Sequence, residues 1–285
     1  MEKPKIDFLS ALTEDIVAYI LSLTSPRDVC RSSAISKEFK SVADSDAVWD
    51  RFLLRSDHRW ILSRKVSPLD FSSKKQTYFQ LAGRHVLLDG GKLSFALDKA
   101  SGKKCFMLGA RELAIMWGSV PEYWKWISLP QSRFSEVAEL VRVCWFSIIG
   151  KIEAQLLSPQ TTYVAYLVFN LRGSCTGFAS LPLKAYARFV VEIGDGDGNE
   201  DEDEINNVVY LTLQPFGPCY SVPEGQPPQQ RMDDWMEIEL GEFFNGRGDT
   251  GEVEIRLMEI DRLNWKSGII VEGIELRPKV DSSIK

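Results

Sequence analysis

Apolar residues follow two rhythms in this chain. Between Leu12 and Trp49 they recur three and four positions apart; beyond Gly83 they alternate with polar residues or gather in short runs. Ile16, Ile20 and Leu23 fall on one helical face, with Glu14, Asp15 and Ser22 off it. Thr13 suits the N-cap of that helix, and Glu14 and Asp15 suit the positive end of its dipole. Ser25-Pro26-Arg27-Asp28 reads as a second helix start: Ser at the cap, Pro at the first helical position, Asp three residues later closing a capping box. Ser36 and Ser45 offer caps for two more short helices. Isolated helices need roughly 12–15 residues because nucleation is unfavourable. These short ones are therefore expected to pack on one another or on a partner.

After a mixed, turn-prone stretch from Ser56 to Ser73, Lys74 to Ala82 fits one short helix. Strand patterns bounded by turns then take over. Leu93–Asp98 and Cys105–Leu108 flank Lys99-Ala100-Ser101-Gly102, a hairpin signal with Gly in the loop. Further strands are expected over 113–117, 141–149, 163–170, 187–193, 208–214, 235–240, 252–258 and 269–276. Two alternate cleanly: Val253, Ile255 and Leu257 oppose Glu252, Glu254 and Arg256, and Met236, Ile238 and Leu240 oppose Glu237 and Glu239. Residues 135–143 fit a helix or a strand. About ten strands without intervening helical patterns predict an antiparallel β-sandwich, jelly-roll-like, behind a helical bundle: an α+β multidomain chain. The expected organisation is a polar tail over 1–7, the bundle over 8–55, a linker with its helix over 56–83, and the sandwich over 84–279.

Composition narrows the function. At 285 residues the chain is long enough for a small module and one sizeable core. A net charge of -6 argues against a basic nucleic-acid-binding surface. No apolar run approaches the ~18 residues of a membrane span, and Met1-Glu2-Lys3-Pro4-Lys5 lacks the apolar stretch of a secretory signal. Five scattered cysteines fit reduced thiols in the cytosol or nucleus better than a disulfide framework or a zinc site. Asp195, Asp197 and Asn199 fall at positions 1, 3 and 5 of a calcium loop, but Glu200 and Asn206 stand where Gly and Glu are needed. A solvated acidic loop is the expectation, with no metal and no cofactor.

Catalytic patterns are missing too. There is no GxSxG, P-loop, HExxH or CxxC, and the two histidines, His58 and His85, have no evident nucleophile or orienting carboxylate. Aromatics instead concentrate between Trp117 and Trp126, with Tyr123 and Trp124 between and Gly118 and Pro121 breaking the run. Sugars stack apolar C–H faces on indole rings while their hydroxyls seek polar partners, so a solvent-facing Trp beside charged groups can bind saccharide. A place in the sandwich core is the competing reading for each ring. If the segment is extended, Trp124 and Trp126 share a face, with Tyr123 and Lys125 opposite. Trp235 shares the Glu237 and Glu239 face of its strand, and a loop such as Pro223–Arg231 is expected to cover it.

The spaced strings Leu12-Thr13-Glu14-Asp15-Ile16, Ile20-Leu21-Ser22-Leu23, Ser25-Pro26-Arg27-Asp28-Val29-Cys30 and Ile35-Ser36-Lys37-Glu38-Phe39, closed by Val42 and Trp49, resemble an F-box, with Thr13 where that family normally has Pro. The resemblance implies docking onto a Skp-type adaptor of a cullin ubiquitin ligase through Leu12, Thr13, Ile16, Ile20, Leu21 and Leu23. Beyond Arg84 the strings Ala110-Arg111-Glu112-Leu113-Ala114-Ile115-Met116-Trp117-Gly118, Tyr123-Trp124-Lys125-Trp126, Val143-Cys144-Trp145, Trp235-Met236-Glu237-Ile238 and Asn264-Trp265-Lys266-Ser267-Gly268 resemble the phloem protein 2 family of plant lectins. That resemblance implies carbohydrate binding through Trp117 and Trp124, matched by their seven-residue spacing. Together they imply a non-catalytic substrate receptor of a ubiquitin ligase, taking a glycan-bearing or protein target. A lectin acting without ligase coupling, or a cryptic carbohydrate enzyme, are the rival classes.

Overall fold

A computed structural model of the chain describes residues 12–53, 63–65, 73–178, 182–190, 207–212, 227–246 and 251–280. The tail over 1–7 and the acidic loop over 195–206 lie outside the described residues. The chain divides into two compact units, Met1–Gly90 with Phe95–Lys103, and Gly91–Ser94 with Lys104–Lys285.

The first unit carries helices α1 (Glu14–Ser22), α2 (Pro26–Ser32), α3 (Lys37–Asp44), α4 (Asp46–Phe52) and α5 (Lys74–Gly83). Strand β1 (Val86–Leu88) follows, and β2 (Leu93–Leu97) reaches into the unit. Two of the four expected caps form through their side chains. Ser25 Oγ accepts from Asp28 N at 3.2 Å and donates to the Asp28 carboxylate at 2.7 Å, and Ser36 Oγ accepts from Phe39 N at 3.2 Å. Thr13 takes the N-cap position of α1 without a side-chain bond. Ser45 holds the N-cap position of α4, but its hydroxyl turns the other way and donates to Val42 O of α3. Val17, Leu21, Val29, Val42, Val48 and Trp49 fill the bundle core. The Trp49 indole donates to Ala43 O at 2.6 Å and its ring packs 5.1 Å from Tyr78 of α5. Tyr78 Oη in turn donates to Asp98 O in the tight turn over 98–103.

The second unit is built from β3 (Lys104–Gly109), β4 (Ala114–Ile115), β5 (Trp124–Ile127), β6 (Val137–Leu140), β7 (Phe146–Glu153), β8 (Thr161–Thr176) and β9 (Leu183–Phe189). It continues with β10 (Asn207–Val209), β11 (Gln229–Gln230), β12 (Met236–Asn245), β13 (Glu252–Glu259) and β14 (Ser267–Pro278). One sheet runs β3-β14-β8-β12-β11, with β6 also on β14 and β5 on β6; the other runs β10-β9-β13-β7-β4. The pairings are antiparallel, and Val253, Ile255 and Leu257 point into the core as their alternation predicts. Rings close the space between the sheets: Phe189 meets Phe243 edge-on at 5.9 Å, and Trp124 lies 6.3 Å from Phe146.

Boundaries shift where tertiary packing overrides local pattern. The ambiguous 135–143 segment yields strand β6, because Val137, Ala138 and Leu140 are buried in a sheet. The strand expected over 113–117 is cut to Ala114–Ile115 by a turn at Trp117. Trp235 is fully buried on the face that carries Glu237, and its indole donates to Gln131 O at 3.3 Å. The segment around Gln131 thus takes its polar atom, while Gln230 Nε2 and Arg231 N of the expected covering loop donate to Trp235 O at 3.3 and 2.8 Å; residues 223–226 of that loop lie outside the described residues. Beside it Arg231 donates to Glu275 and Glu237 at 2.7 and 2.6 Å, and Arg133 to Glu275 at 2.7 Å. Burial alone would raise the Glu275 carboxyl, but Arg133, Arg231 and Arg277 hold it down to about 2.

Candidate functional site

Two surfaces stand out. On α1 the pattern of the sequence is apolar on both flanks, and the structure separates them. Val17 and Leu21 face the bundle, whereas Leu12, Ile16, Tyr19, Ile20 and Leu23 leave between 37% and 61% of their surface in water. Ile35, in the turn between α2 and α3, is likewise exposed. Leu12, Thr13, Ile16, Ile20 and Leu23 thus stand where a partner reaches them. Leu21 does not: it is core, one residue round the helix from Ile20, and its expected docking role is corrected accordingly. Tyr19 was missed by sequence reading, although it sits three residues from Ile16 on the same face. An apolar stripe of this kind, left in solvent, marks an interaction surface.

In the second unit the run 117–126 splits into scaffold and display. Strand β5 places Trp124 and Trp126 on one face. Trp124 is buried, and its indole donates to Met116 O at 3.1 Å; that of Trp126 donates to Gly118 O at 2.9 Å. The expected carbohydrate contact through Trp124 is therefore corrected: the ring packs between the sheets and its one polar atom is spent inside the protein. Arg111 lies over the Trp126 ring at 3.6 Å and donates through Nε to Glu136 at 2.9 Å. That hydrogen bond holds the Glu136 carboxyl below its usual value. Held between these two indole bonds is Trp117, half exposed, with φ of 63° and its ring edge-on to Tyr123 at 6.1 Å. A bulky residue in the left-handed region is strained by about 1–3 kcal/mol. The turn persists because the bonds to Met116 O and Gly118 O fix both its sides.

Two more indoles, Trp145 and Trp265, are exposed, and sequence reading did not single them out. Asp261, Arg262 and Asn264, the polar residues shortly before Trp265, were the available sign of a loop. Their roots are firm. Lys266 is fully buried, ion-paired to Glu259, and donates to Cys144 O at 2.9 Å and Asn264 O at 2.8 Å. Gly177, at φ +82°, lets the end of β8 reach this loop: a Cβ there would lie 2.2 Å from Trp265 O. Among the described residues no cluster of carboxylates, cysteines and histidines could hold a metal ion.

Fold and surfaces define a two-part recognition protein: a helical module with an open apolar ridge, followed by a β-sandwich that displays aromatic rings. Family comparison agrees with that division. An F-box domain model matches residues 9–51 and a phloem protein 2 model matches 103–278. F-box protein At2g02240 of Arabidopsis thaliana is 45% identical over 94% of this chain and 79% of its own length. F-box protein PP2-B10 of the same plant is 42% identical over 93% and 92%. The chain belongs to the plant F-box proteins that carry a phloem protein 2 domain, substrate-recognition proteins with a lectin-like domain.

Proposed function

We propose that this chain is the non-catalytic target-selecting subunit of an SCF-type ubiquitin ligase, acting in the cytosol or nucleus. A Skp-type adaptor covers the open flank of α1, and a cullin ligase supplies the chemistry. The observation that carries this reading is the apolar ridge formed by Leu12, Ile16, Tyr19, Ile20 and Leu23 on a helix whose opposite flank is already satisfied by its own bundle. Burying such side chains stabilises by roughly 1.5–3 kcal/mol each, so an uncovered row of five favours a partner. The sandwich selects a glycan-bearing or protein target, with Trp117 as the ring offered to a sugar.

The docking half is tested by co-purification of full-length protein with a Skp-type adaptor. Ile16→Asp with Ile20→Asp is expected to abolish adaptor recovery and to leave the thermal unfolding midpoint nearly unchanged. Full adaptor recovery by the double variant would reject the docking role. Glycan capture is tested separately below.

A further inference from the structure

We propose that the sandwich holds a saccharide platform of several rings, in which Trp265 and Trp145 form a second subsite beside Trp117. This rests on the sugar-capture reading and assigns it residues. A chain of contacts links the segments that carry the three indoles. Trp117 packs edge-on to Tyr123, whose carbonyl accepts from Val141 N at 2.8 Å and Arg142 N at 3.4 Å. The Arg142 guanidinium lies 5.7 Å from the Trp265 ring centroid. Trp145 follows three residues on, and Lys266 binds the carbonyls of Cys144 and Asn264 together, setting the Trp145 and Trp265 loops side by side.

Two features point to a sugar. The rings stand near exposed polar groups, Arg142, Asn264, Arg262 and Asp261, with Leu263 also exposed among them. Stacking on a half-exposed indole with hydroxyls met by neighbouring charged groups is the chemistry of a pyranose ring. The base of the loops is also anchored, by the buried Lys266–Glu259 pair, and Gly177 passes close to Trp265 O; an anchored base loses less entropy on binding. Rings on adjacent loops then engage successive sugar units, so affinity rises with oligosaccharide length.

The test is titration calorimetry of the full-length chain against chito-, cello- and manno-oligosaccharides of one to five units. Wild type is expected to bind one series with affinity that climbs with length. Trp265→Ala and Trp145→Ala are each expected to weaken the longest oligomer at least tenfold and to flatten the length dependence, while Trp265→Phe and Trp145→Phe retain most of it. All four are expected to unfold at the wild-type temperature, since the rings are surface-displayed. If both alanine variants bind the longest oligomer as wild type does and only Trp117→Ala loses it, sugar capture stands and the platform falls. If wild type binds none of the panel, platform and sugar capture fall together, and these rings are a protein contact.

Discussion

Lys266 shows how much one side chain can decide. A lysine with no exposed surface is tolerable only because Glu259 neutralises it and two carbonyls take its remaining protons. Removing one partner leaves the other charge buried, an effect of about 3–5 kcal/mol. Lys266→Met is expected to lower the unfolding free energy by that amount in denaturant titration. Adding Glu259→Leu should recover much of it; no recovery would mean that the pair is not what holds these loops. Sequence alone could not find this lysine, because Asn264-Trp265-Lys266 reads as an ordinary polar loop. Trp117 and Trp124 make the same point from the other side. Both fit the same spacing and both are indoles, yet one is displayed and the other packed. Period-2 reasoning placed Trp124 and Trp126 on a shared face correctly; what it lacked was knowledge of which layer lay beneath that face.

At the scale of the element, α1 was legible in its start and one of its two flanks. Ile16, Ile20 and Leu23 carried the stronger helical pattern, and such a stripe normally faces the core. Here Val17 and Leu21 take the core instead, because α1 packs on α3 and α4 through that side. The two flanks should therefore respond oppositely to change. Leu21→Ala removes buried methyl groups and is expected to lower stability by about 2–5 kcal/mol in chemical denaturation. Ile20→Ala, its neighbour, should stay within about 0.5 kcal/mol. Equal losses for both would mean the helix is seated differently. The strands were legible where alternation was clean, as in β13, and illegible where a turn interrupted it, as at Trp117. The long β8 and β14 were underestimated, since their ends at Thr176 and Ser267 depend on pairing with one another.

For the second unit as a whole, acid should be a distinctive stress. The Glu275 carboxyl is held at about 2 by Arg133, Arg231 and Arg277 against the desolvation that would raise it. A carboxylate whose folded value is depressed stabilises the fold above its unfolded value and loses that contribution as pH falls through its folded one. The window here runs from about 4.5 down to about 2, and the shift corresponds to on the order of 3 kcal/mol. Glu275→Gln is expected to be less stable at neutral pH and to flatten the loss of stability across that window, read as unfolding midpoint against pH. A parallel pair of curves would place the acid sensitivity elsewhere. None of this network could be read from the chain, because Arg133, Arg231, Glu237 and Glu275 are scattered through it and meet only after the sheet forms.

The path of the backbone between the units has a practical outcome for anyone dissecting the molecule. The chain leaves the helical unit at Gly90, gives four residues to the sandwich, returns for 95–103, and leaves again at Lys104. No single cut frees one half intact. A fragment beginning at 84 carries Asp98 away from Tyr78, and one beginning at 104 forfeits Lys92, whose carbonyl accepts from Gly109 N at 2.9 Å. Inherited or engineered swaps of the recognition half must bring that small loop of chain with them.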